Sequence, residues 1–131
     1  MKAEAFSSLT EELHNKDVDT CVAAAGRLHK ESETEDVPKL LELLQSNDFF
    51  VREAAAWPLA ELSGVKFLPE LFAAYQRGFD EGHDNDGFTA ALLEIPAIFP
   101  NEAKQTLEKL AVAAEEPMRG HAKWLLEFCT A

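Results

Sequence analysis

Cysteines, basic side chains and long apolar runs are all scarce in this chain. Its two cysteines, Cys21 and Cys129, stand near opposite ends of 131 residues. Neither belongs to a close-spaced pair that would hold a metal or cycle as a disulfide. Two reduced, mostly structural thiols in a reducing compartment are the expectation. No apolar run approaches the roughly 18–20 residues of a membrane span. The opening MKAEAFSSLTEELH has no apolar core of a secretory signal, so a cytoplasmic location is expected. Bases are outnumbered by acids, 12 against 24, for a net charge of −12. Nucleic-acid binding rests largely on Lys and Arg neutralising phosphate, so that class is excluded, and so is an anionic membrane surface. An acidic surface keeps a protein in solution and steers it toward basic partners.

What is present is ordinary for one folded domain over 1–131: 47% apolar and 27% charged residues. The chain is organised around Asp48–Gly64, DFFVREAAAWPLAELSG. Asp48 can cap a helix start. Val51, Ala54, Ala55, Leu59 and Leu62 then form one apolar stripe at helical spacing, and Gly64 is a natural stop. Pro58 inside this helix predicts a kink or a broken ladder. The same reading along the chain predicts eight helices and no strand. Asp17 opens the second, Asp36 the third and Pro117 the eighth. HKESETED reads as a solvated connection and Phe79–Gly87 as an irregular acidic loop.

Helices two, four, six and eight superimpose as a repeat. Asp17, Asp48, Asp84 and Glu115 share one column, Ala24, Ala55, Ala91 and Ala122 a second, and Leu28, Leu59, Ile95 and Leu126 a third. The odd-numbered helices follow, with Leu9, Leu40, Leu71 and Leu107 aligned. The units run over about 1–33, 34–64, 65–99 and 100–131. A hairpin of two helices cannot bury its apolar face alone, so neighbours must stack. Asp48, Val51, Arg52, Ala55 and Leu59 match Asp-x-x-Val-Arg-x-x-Ala-x-x-x-Leu, and the chain here resembles the HEAT-repeat family, particularly its phycobilin-lyase type. The other units match in part; Arg119 restores the arginine in the last. The resemblance implies an all-α solenoid, a right-handed superhelix of four antiparallel hairpins, with a concave face lined by the even-numbered helices.

Chemistry is harder to find. Asp84-Asn85-Asp86-Gly87 looks like part of a calcium loop, but Gly82 and Leu93 would fall at ligand positions and cannot coordinate. Some HEAT-repeat enzymes hold iron with His-Glu pairs; the histidines here precede Asn15, Lys30, Asp84 and Ala122. No catalytic residue, metal or cofactor is therefore expected. Cys129 shares a column with Leu62 and Ile98 and is expected in the core. His29 and His121 read as surface or packing residues. Trp57 and Trp124 occupy one repeat column, with Gly26 and Leu93 between them, well off the stripe. The plain reading is packing on the neighbouring repeat. The functional reading is a pair of interface anchors. With Glu53, Glu61, Glu94 and the acidic loop they would form an aromatic and acidic patch.

The expectation is a non-catalytic protein-binding module for a basic protein, in its sharper form an immunity-type inhibitor of a toxin. The partner-binding residues would be Glu53, Trp57, Asp80, Glu81, His83, Asp84, Asp86 and Trp124, on a monomer or weak homodimer. The alternative is a phycobilin-lyase-like or enzyme-associated protein that binds a small ligand or metal.

Overall fold

The computed structural model describes residues 1–129, and among them there is no strand. The helices are α1 (Ala3–Leu13), α2 (Val18–Glu31), α3 (Val37–Leu44), α4 (Phe49–Ser63), α5 (Leu68–Asp80), α6 (Asp86–Ile98), α7 (Pro100–Ala113) and α8 (Met118–Leu126). Short 3₁₀ turns at Thr34–Asp36 and Gly64–Phe67 lead into α3 and α5.

The helix starts follow the local chemistry. Asp17 accepts the backbone N–H of Thr20, and Asp48 accepts those of Phe50 and Val51, each filling orphan donors of a first turn. Pro38, Pro69 and Pro100 stand in first turns, where a missing N–H costs little. Gly64 ends α4 at φ +54°, a conformation only glycine adopts without strain. The ring of Phe99 covers it, about 3.0 Å from where a Cβ would stand. α4 runs through Pro58 and α6 through Pro96 without a break in the helix, and both prolines are buried.

α1 packs on α2, α3 on α4 and α7 on α8 as hairpins with short connections. The even-numbered helices make a continuous row: α4 lies against both α2 and α6, and α6 against α8. α5 touches α3, while α8 reaches across to α5 as well as α6. The repeat columns are the core of this arrangement. Ala24, Ala55, Ala91 and Ala122 are all buried, as are Leu9, Leu40, Leu71 and Leu107. The small alanines let the even-numbered helices approach, and each buried leucine contributes about 1.5–3 kcal/mol.

Several expectations need correction. Asp36 does not lie in a solvated connection: it is buried within the 3₁₀ turn ahead of α3. Its carboxylate accepts the Glu33 N–H at 2.8 Å and the N-terminal ammonium of Met1 at 3.1 Å, which offsets the cost of burying it. The acidic loop is shorter than Phe79–Gly87. Phe79 and Asp80 close α5, where the Gln76–Asp80 and Arg77–Glu81 pairs hold its last turn, and Asp86 and Gly87 open α6. Met118, not Pro117, begins α8. The column of Leu62, Ile98 and Cys129 is not core: Leu62 and Cys129 are half-buried and Ile98 is exposed. These three residues fall at or just past the ends of their helices, where fewer neighbours cover them. Leu126 is only half-buried, and Leu125 takes the core position in α8.

Candidate functional site

α4 carries Phe49, Glu53, Trp57 and Glu61 at a spacing of four residues, one ridge along its outer face. All four are half-buried. Each meets a residue of a neighbouring element, and Trp57 and Glu61 share the same one. Phe49 stacks on His83, with ring centroids 4.4 Å apart and planes 12° from parallel. The carboxylate of Glu53 lies against Gly87 in the first turn of α6. Burial, and the charge of Asp84 nearby, raise its pKa above the usual glutamate range. Trp57 lies 5.4 Å from the His29 ring of α2. Glu61 Oε1 is 2.9 Å from His29 Nε2.

Between α2 and α4 these residues leave a shallow groove of about 260 Å³, lined by Ala25, Gly26, His29, Ala54 and Trp57. Trp57 is one wall. Gly26 is exposed, and a Cβ placed on it would meet no atom within 4 Å. Gly26 stands 31 residues before Trp57, at the equivalent repeat position. The groove therefore lies where α2 has no side chain and α4, 31 residues on, has its largest.

The loop acids are not equivalent. Both oxygens of Glu81 are held by arginines: Arg52 Nη2 donates to Oε1, and Arg77 Nε donates to Oε2 at 2.8 Å. Those two guanidinium groups bring the Glu81 pKa down to about 2. The Arg52 side chain is fully buried and also donates to the Ser46 carbonyl at 2.9 Å; Arg77 reaches the same carbonyl and Asn47 Oδ1. Glu81 is thus the centre of a brace joining the α3–α4 turn, α4 and the end of α5. Arg119, its counterpart in the last repeat, is instead at the surface, 3.8 Å from Glu116. Asp80 accepts Gln76 Nε2, and Asp84 accepts the N–H of Asp86, while Asp86 is exposed at the start of α6. Asn85 is buried beneath them and donates to the Tyr75 carbonyl.

The structure thus brings Glu53, Trp57, His83 and Asp84 onto one side of α4, with Asp86 beside them. Trp124 belongs elsewhere. It stacks on Tyr75 of α5, 5.9 Å between centroids, and meets Phe128 edge-on. Tyr75 also contacts Phe79, Phe88 and His121, and its hydroxyl lies 2.6 Å from Thr89 Oγ1. Both tryptophans pack on another hairpin. Only Trp57 also borders an open groove of the α2–α4 seam. His29, Phe49 and Gly26 escape a reading based on apolar stripes, because they lie outside the stripe; the equivalence of Gly26 and Trp57 is the signal that points to them.

Among the described residues, no group of three or more His, Cys, Asp and Glu side chains converges to hold a metal ion. His14, His29, His83 and His121 pair with the Thr10 carbonyl, Glu61, Glu81 and Gln76, respectively. None of these partners is a hydroxyl or thiol that a histidine could activate. No helix among the described residues is long and apolar enough to cross a membrane. Comparison with protein-family models, with curated proteins and with solved structures finds no match to this chain.

Proposed function

We propose that this chain is a non-catalytic protein-binding module, a HEAT-like stack of helical hairpins whose even-numbered helices present an acidic and aromatic face to a basic protein. The observation that carries the reading is the α4 ridge. Glu53, Trp57 and Glu61 stand in line there, with Asp84 and Asp86 beside them and an open groove at Trp57. A half-buried tryptophan flanked by carboxylates suits an interface anchor surrounded by charge that selects a basic partner. The row formed by α2, α4, α6 and α8, and the buried columns of Ala24, Ala55, Ala91 and Ala122 and of Leu9, Leu40, Leu71 and Leu107, support the solenoid form of the fold. The net charge of −12 favours fast, salt-sensitive association with a cationic surface. An immunity-type inhibitor that covers the basic active surface of a toxin is the sharper form of this reading.

Affinity capture from a native extract tests it. Wild type is compared with a Glu53→Gln, Glu61→Gln, Asp84→Asn, Asp86→Asn variant at about 0.15 M and about 0.5 M salt. The expected result is a basic protein retained by wild type at low salt and lost in the variant or at high salt. If it is a toxin, its activity falls on addition of wild type. A partner that binds both proteins equally, whatever the salt, overturns the reading.

A further inference from the structure

Gly26 is the feature of the α2–α4 groove that folding does not explain. A glycine inside a helix weakens that helix relative to alanine. Such a residue is usually required by a close neighbour or by positive φ. Gly26 has neither: a Cβ there would stand in open space, and its φ is not positive. What the missing side chain does provide is room. The groove above it is bounded by Trp57 on one side and by His29 on another, and Glu61, one turn beyond Trp57 on α4, is hydrogen-bonded to His29. Glu61 Oε1 faces His29, and among the described residues Oε2 has no hydrogen-bond partner.

Resting on the reading of this face as a site for a basic protein, we infer that the groove receives one arginine side chain of that partner, stacked on Trp57 and paired with Glu61. The groove asks for a flat cation. A guanidinium lies on an indole face with both dispersion and cation–π attraction. Its N–H groups also fit a carboxylate better than a lysine ammonium does. The remaining walls, Ala25 and Ala54, are small and apolar and accommodate the methylene stem of the arginine.

The test uses the full chain with Trp124→Phe, which leaves Trp57 as the sole tryptophan. Its fluorescence is followed on titration with a hexa-arginine peptide at about 0.15 M salt, where weak surface pairing is screened. Saturable quenching is expected, with hexa-lysine several-fold weaker. Gly26→Leu, placed in open space, keeps the helical circular dichroism of the parent and melts no lower than it, and its side chain fills the groove. It should lower hexa-arginine affinity at least tenfold. Glu61→Gln should lower it several-fold. A folded Gly26→Leu variant that binds hexa-arginine as the parent does overturns the inference, as does equal affinity for hexa-lysine. Both results leave the salt-sensitive capture of a basic protein standing. Failure of that capture sinks the underlying reading instead.

Discussion

Arg52, closed off from solvent within α4, donates to the carboxylate of Glu81, which sits beyond the end of α5 29 residues later. The pair ties the α5–α6 loop to the helix that carries the candidate binding ridge. It also places a buried cation in dependence on one surface carboxylate.

Removing either partner should loosen that brace. Arg52→Met loses charged hydrogen bonds to Ser46 and Glu81 and should cost about 2 kcal/mol. In urea the midpoint should fall with little change in slope. The pH dependence follows from the low pKa of Glu81, about 2 against 4.5 when free. A carboxylate held below its unfolded pKa contributes stability that is fully present above about pH 4.5. That contribution is lost as pH falls toward 2. Melting temperatures of wild type and Glu81→Gln should therefore differ at pH 6 and converge as acid is added; a gap that stays constant down to pH 2 would contradict the brace.

Glu53 should behave in the opposite sense. Its pKa is raised by burial and by Asp84, so the ionised form is disfavoured in the folded state. The folded protein then holds on to a proton that the unfolded chain would release, and stability falls as pH rises through that window. Glu53→Gln should melt higher than wild type at neutral pH and show no such gain in acid. Asp84→Asn should bring the Glu53 pKa back toward its usual range, as read by carboxyl NMR titration.

Two glycine-to-alanine substitutions should have opposite signs. At Gly78 a Cβ would lie 2.3 Å from Asn85 Oδ1. Asn85 is buried and held by its bond to the Tyr75 carbonyl, so it cannot swing clear. Gly78→Ala should cost about 1–3 kcal/mol, as overpacked cores do. Gly26→Ala meets nothing and should gain about 0.5–1 kcal/mol from helix propensity. Chemical denaturation of both variants measures the contrast.

Tyr75 joins the last hairpin to α5 through its stack on Trp124. Tyr75→Ala should cost about 3–5 kcal/mol, the range for a large aromatic lost from a core. Trp124 emission should move to longer wavelength as water reaches the ring. Tyr75→Phe, which loses only the contact with Thr89, should cost about 1 kcal/mol and leave the emission in place.

Much of the fold was legible because amphipathic helices carry their apolar residues at a regular spacing. The column of Ala24, Ala55, Ala91 and Ala122 and that of Leu9, Leu40, Leu71 and Leu107 are buried throughout, and the caps at Asp17 and Asp48 form as their spacing implies. The candidate face was legible only in part. Glu53 and Trp57 were found as residues off the stripe, and their shared side of α4 follows from a spacing of four. Glu81 was read with its acidic neighbours as one patch, yet two arginines from different helices hold it. Trp124 was paired with Trp57 by repeat position, but its ring turned to Tyr75. Local spacing says which side of a helix a residue occupies; it does not say which distant side chain arrives there.

By itself, then, the sequence determined the all-helical class, the places where helices begin and the columns that fill the core, since these depend on periods and caps a few residues long. Only the tertiary structure decided that Asp36 is buried, that Glu81 is neutralised by Arg52 and Arg77, and that a groove stays open over Gly26. Each of those outcomes depends on the docking of one helix against another, where charge, burial and empty space are set by residues about 30 positions apart.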